Sequence, residues 1–310
     1  MARVDIQADP TNLAGGMPLP DSPTVAVATG RQRLVAGLRS LGVLPTIGLV
    51  VVLLLVVVAV FAPLIAPFDA TAPASIDTLA GPSGAHWFGT DMYGRDVLSR
   101  VIVGAQVSMV VGFAVTIGSL VIGGLLGLVA GFVGGLVDRI LGQLTDVLLA
   151  VPGILLAIAI VAMLGSGIRN VCIALTIGQI PLMLRVVRSA TLSISQRPMV
   201  RAARAIGARP SRVLLRHIAP YVWGTAVVQC TFTFAHAILY EAGLSFLGIG
   251  VQPPEPTWGN MVSEARAFIG SQPWNAIFPG LAIVVVVLAI NLVGDGLRDL
   301  ADPESRGRGR

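Results

Sequence analysis

The chain has 310 residues, 55% of them hydrophobic and 12% charged, with a mean hydropathy of +0.83. That balance excludes a water-soluble domain of this size and marks an integral membrane protein, which the long apolar runs described next lead us to expect to be all-α. All 21 basic residues are arginine, set against 16 acids for a net charge of +5. With no lysine, no G-x-x-x-x-G-K-[ST] phosphate loop can be written, so any ATP use falls to a partner.

Residues 1–40 are polar and rich in proline and glycine, and are expected to form a flexible cytoplasmic tail. No cleavable signal is expected, because the apolar run after them is too long for an h-region. Spanning a bilayer takes about 20 mostly apolar residues. Six stretches qualify: 43–65, 107–132, 147–164, 171–187, 221–246 and 277–297. Pro181 and Arg185 interrupt the fourth, but the charge pattern alternates only if it crosses. With the N-terminus in the cytosol, only Arg95, Arg100, Arg169 and Arg266 lie outside, and the other seventeen arginines lie inside. This is the positive-inside distribution, and both termini are expected to be cytoplasmic. The expected organisation is the tail 1–40, a first span and extracytoplasmic loop over 41–100, a transmembrane core over 101–300 and a basic tail over 301–310.

In the second span Gly123, Gly127, Gly131 and Gly135 recur every four residues, a small-residue face that lets helices approach closely, within the chain or against another subunit. Cys172 and Cys230 lie in apolar stretches and read as packing residues. Arg95 with Asp91 and Asp96 reads as loop chemistry. Trp258 and Trp274, in the last outer loop, suit a membrane interface or the docking of an external partner.

The segment between the fourth and fifth spans is too long for a turn. Ser195 is a predicted N-cap with Pro198 in the first turn, Met199, Val200, Ala203 and Ile206 share an apolar face, and Gly207 suits a left-handed helix end. Pro210 and Ser211 restart the pattern, with Val213, Leu214 and Ile218 opposite Arg209, Arg212 and Arg216, until Pro220 leads into the fifth span. Two readings stand: an amphipathic element that enters a groove on a soluble partner, or a basic patch drawn to anionic lipid.

In the fifth span Gln229, Thr233, His236 and Tyr240 fall at i, i+4, i+7 and i+11, with Glu241 beside their outer end. Such groups line a translocation pathway or bond neighbouring helices. One histidine and one carboxylate are too few for a selective metal site, and no catalytic or metal-binding residue is assigned. Asn291, Asp295, Arg298 and Asp299 continue the sixth span as an ion-paired interfacial end or a gate contact. A six-span channel or secondary transporter shares this hydropathy. Yet no span carries arginine at every third position, and Asp146, Glu241 and Asp295 sit near span ends.

Arg201-Ala202-Ala203-x-x-x-Gly207 followed by His217-Ile218-Ala219-Pro220 resembles the EAA loop of binding-protein-dependent ABC permeases, with arginine at 201 where that family usually has glutamate and alanine at 219 where it has leucine. Ala62-Pro63-Leu64-Ile65-Ala66-Pro67, His86-Trp87-Phe88-Gly89-Thr90-Asp91, Glu241-Ala242-Gly243-Leu244-Ser245-Phe246-Leu247-Gly248 and Gly294-Asp295-Gly296-Leu297-Arg298-Asp299 are similar to the C-type permease subunit of dipeptide, oligopeptide and nickel importers. The resemblance implies a type I ABC-importer transmembrane domain in the bacterial inner membrane. It implies importing small peptides, or alternatively nickel or another small solute. It also implies a coupling helix over 197–210, with Pro198, Arg201, Ala202, Ala203, Arg204, Gly207, Ala208 and Pro220 facing an ATPase. The implied partners are a homologous second permease, two ABC ATPase subunits or domains that hold ATP and magnesium, and an extracytoplasmic substrate-binding protein. No cofactor is expected on this chain and no nucleic acid among its partners.

Overall fold

The computed structural model describes residues 42–73 and 75–301. The expected tails, 1–40 and 301–310, lie outside the described residues except for Ala301, which ends the last helix. The described chain is helical: α1 (Val43–Val60), α2 (Val97–Val133), α3 (Gly135–Ala150), α4 (Gly153–Leu164), α5 (Ile168–Ser195), α6 (Pro198–Ala205), α7 (Ala219–Phe246), α8 (Trp258–Ala265) and α9 (Trp274–Ala301). The extended pairing among the described residues is a single bridge between Thr90 and Asp96.

Among the described residues, five helical stretches are long and apolar enough to cross a membrane: α1, α2, α5, Pro210–Phe246 and α9. The third expected span, 147–164, is not one continuous helix. Val151 and Pro152 break it, and α3 and α4 meet at 88°. Proline has no N–H for the ladder and disfavours helical backbone at the residue before it, which explains the break. With 12 residues, α4 is about 18 Å long, short of a hydrocarbon core of about 30 Å. The interrupted fourth candidate, by contrast, runs unbroken through Pro181 as the 28-residue α5. The second begins ten residues before its apolar run, at Val97, which places Arg100 inside α2.

α2, α5 and α7 form the centre, with α9 against α7, α1 against α9, and α4 on the flank of α5. The tightest seam joins α2 to α5. A methyl group added at Gly123 would lie 2.7 Å from the Ile180 carbonyl, at Gly127 2.6 Å from the Leu184 carbonyl, and at Gly131 2.7 Å from Thr191 Cβ. These three glycines therefore serve packing within the chain. Gly135 does not join them: the helix breaks at Gly134, and Gly135 opens α3 with nothing beside it. Gly127→Val is expected to force the two backbones apart and destabilise the bundle by about 1–3 kcal/mol, read as a lower thermal midpoint in detergent, whereas Gly142→Ala, in α3 with open space around it, should not lower it.

Candidate functional site

The end of the molecule where α5 finishes carries the segment that the sequence singled out. Ser195 is the last residue of α5 rather than an N-cap. The turn is made by extended Arg197, and Pro198 occupies the first helical position of α6. There its missing N–H costs nothing. Val200 and Ala203 point inward and pack on Met183, Val187 and Ile194 of α5 and on Val213, Ile218, Val222 and Ala226. Met199 and Ile206, expected on the same face, instead point outward, Ile206 with 84% of its surface exposed. α6 thus has two apolar faces, one fixed to the bundle and one free.

Gly207 closes α6 with φ +78°, its N–H donating to the Arg204 carbonyl at 3.0 Å while the Ala208 N–H donates to that of Ala203 at 3.1 Å. This pair of bonds is the Schellman termination, in which a left-handed residue satisfies the last carbonyls. Ala208 is half-buried in the same cluster. The chain then re-enters a helix at Pro210 and widens into a π turn over Val213–Ile218 before α7. Pro220 cannot donate to the Arg216 carbonyl, and the wider turn gives its ring room. Arg201, Ala202, Arg204 and Pro220 are exposed. Arg204 lies over the Phe132 ring at 5.4 Å and Arg197 over Tyr221 at 5.7 Å, which ties the segment to the ends of α2 and α7. Nearby, α3 is held to α5 by Arg188 on Asp138 and Arg185 on Asp146.

The five polar positions of the fifth span separate. His236 is exposed and stacks on half-buried Tyr240, ring centroids 5.9 Å apart, with half-buried Gln229 below them on the same face. Tyr240 also faces Gly153, the first residue of α4. Thr233 and Glu241 are fully buried. Glu241 accepts a hydrogen bond from the Ser245 hydroxyl at 2.8 Å, and Ser245 in turn accepts from the Val251 N–H at 3.2 Å. Glu241 therefore belongs to the corner that ends α7, and of the five positions Gln229, His236 and Tyr240 are the ones that reach the surface. Sequence reasoning missed Gln179, a buried carboxamide within α5, although one amide between Gly178 and Pro181 in an apolar run was a visible signal.

At the opposite end, a buried ion cluster joins distant parts of the chain. Asp91 accepts from Arg95 Nε at 2.6 Å and Arg100 Nη1 at 3.0 Å, and Glu264 of α8 accepts from the same two guanidinium groups at 2.9 and 3.1 Å. Arg95 also lies over the Tyr93 ring at 4.5 Å. Burial pushes the Glu264 carboxyl above its ordinary value, and the Arg95 guanidinium opposes that shift. Asp96, expected beside Arg95, instead caps α2 and pairs with His86 at 2.9 Å. Stacking of Phe88 on Phe278 and the bond from Asn275 to the Thr90 carbonyl complete the attachment of the loop before α2 to the start of α9. Arg100 and Glu264 were not read as partners from sequence.

Residues 123–307 match the model of the binding-protein-dependent transport system inner membrane component, and residues 44–82 match that of the N-terminal TM domain of oligopeptide transport permease C. The chain belongs to the binding-protein-dependent transport permease family. It is 53% identical over 258 residues to the glutathione transport system permease protein GsiD of Escherichia coli O157:H7, spanning 83% of this chain and 85% of that one. It is 42% identical over 263 residues to the dipeptide transport system permease protein DppC of Alkalihalophilus pseudofirmus, with 85% and 86% covered. In fold, the permease resembles an inward-facing structure of the methionine ABC transporter MetNI, with a TM-score of 0.56 at 20% identity over 66% of this chain and 96% of that one. The permease is thus an inner-membrane, multi-pass subunit of an ABC importer.

Proposed function

We propose that the permease forms half of the translocation pathway of an importer for small peptides, and that α6 with Gly207 transmits force to it from partner ATPase subunits on the cytoplasmic side. The observation that carries the coupling role is the division of α6 into a face fixed on α5 and α7 and a face left open at Met199, Ala202 and Ile206. An apolar stripe on a short exposed helix fits a groove on a soluble partner. Because Val200 and Ala203 are packed against the ends of two membrane helices, a push on the open face moves those helices. The relatives named for dipeptide and glutathione transport support a peptide cargo. Gln229, His236 and Tyr240 would line the path, supplying hydrogen-bonding groups that change partners as α7 tilts.

The remaining parts are a homologous permease, two ATPases that bind ATP and magnesium, and an extracytoplasmic binding protein that selects the cargo. In proteoliposomes, uptake of a labelled dipeptide is expected only when all of these are present together with ATP. Uptake by this polypeptide alone at the rate of the full complex would overturn the proposal.

A further inference from the structure

Between Asp146 and Glu241 the chain has no acidic residue, yet eight arginines fall within 185–216. Arg185 and Arg188 are neutralised by carboxylates of α3, and Arg197 and Arg204 lie over aromatic rings. Arg201, Arg209, Arg212 and Arg216 are exposed, and among the described residues no carboxylate pairs with them. Arg201 lies on the same helix as the open stripe of Met199, Ala202 and Ile206, and Arg209, Arg212 and Arg216 lie on the stretch that follows Gly207. The segment thus combines an exposed apolar knob with positive charge that the described chain leaves uncompensated.

Its distance from the membrane decides between lipid and protein. The stretch Pro210–Phe246 has 37 residues, about 55 Å of helix, against about 40–45 Å for a bilayer with its headgroups. The excess falls at the Pro210 end, because α6 and Gly207 follow α5, whose 28 residues already span about 42 Å. By helix length, the knob with Arg201, Arg209 and Arg212 falls beyond the part of α5 and of Pro210–Phe246 needed to fill a bilayer, with Arg216 nearer to it. Apolar side chains held in water beyond the lipid are covered by protein.

We infer that the partner seated here presents an apolar groove edged by aspartate or glutamate, so that the ATPase proposed above docks through an acidic rim opposite Arg201, Arg209 and Arg212. The inference rests on the coupling role and adds the chemistry of the partner. Rim charges govern encounter and partner choice more than the depth of seating. Arg201 and Arg212 would then decide which ATPase the permease accepts, and Ile206 how firmly it is held.

The test uses the tagged permease co-expressed with its importer subunits and purified in nanodiscs. In Arg201→Glu with Arg212→Glu, ATPase retained on the permease is expected to fall at least about ten-fold. Retention by the unaltered complex should weaken from about 0.1 M to 1 M salt, as the screening length falls from about 10 Å to 3 Å. Lysine in place of the facing carboxylates of the ATPase should restore the double variant. Equal retention by both permeases at low salt overturns the acidic rim, and if Ile206→Asp still releases the ATPase the coupling role stands without it. A loss seen only in nanodiscs containing phosphatidylglycerol would assign the arginines to lipid and likewise overturn it. If the unaltered permease inserts with its partner permease yet retains no ATPase at any salt, the proposed coupling role itself fails.

Discussion

Gly207→Pro is expected to lower ATP-driven uptake at least tenfold while leaving the amount of permease in the membrane unchanged. Proline fixes φ near −65°, whereas residue 207 sits at +78°. The substitution also removes the N–H that bonds the Arg204 carbonyl. The termination of α6 would be lost, and with it the geometry that sets Val200 and Ala203 against Val213 and Ile218. Membrane insertion depends on the apolar helices, none of which contains Gly207. Gly207→Ala is the graded control, because a side chain in the left-handed region costs about 1–2 kcal/mol and keeps the N–H. Its uptake should fall between the two. Proteoliposome uptake normalised to inserted permease measures both, and normal uptake by the proline variant would rule out a rigid α6.

Asp91→Ala is expected to be the most destabilising single change at the opposite end, by about 3–5 kcal/mol. Asp91 takes two guanidinium groups and also accepts the backbone N–H groups of Tyr93 and Arg95 at 2.8 and 3.0 Å. Removing it leaves Arg100, which has no solvent exposure, with Glu264 alone as its carboxylate partner, shared with Arg95, and also removes the acceptor of two backbone N–H groups. Glu264→Ala should cost less, since Asp91 still reaches both arginines. Replacing Arg100 and Glu264 together by methionine and leucine should recover much of the loss of either single removal, because apolar groups need no counter-charge. Thermal unfolding of the purified permease in detergent orders the three. Equal midpoints for Asp91→Ala and the unaltered protein would show that the cluster contributes nothing.

The parts legible in the sequence were those with local rules. Spacing of Gly123, Gly127 and Gly131 by four foretold a helix seam, and Gly207 followed by Pro210 foretold a helix stop and restart. The α3–α4 bend was not legible as a pattern, because the apolar run 147–164 continues across Pro152 and only the proline itself marks the break. For α6, a period of 3.6 grouped Met199 and Ile206 with Val200 and Ala203, but periodicity does not say which neighbours cover a face. The same limit applies to α7, where one helical stripe holds both exposed His236 and buried Thr233. The Arg100–Glu264 pair joins positions 164 residues apart, and nothing local announces it.

The seam of Gly123, Gly127 and Gly131 bears on how motion travels. Where two helices meet through side chains, rotamers can shift and absorb a displacement. Here main chain meets main chain at three successive levels, and the close-packed contact leaves little to yield. The two helices then behave mechanically as a single stiff beam. A tilt imposed at one membrane face arrives at the other nearly undiminished.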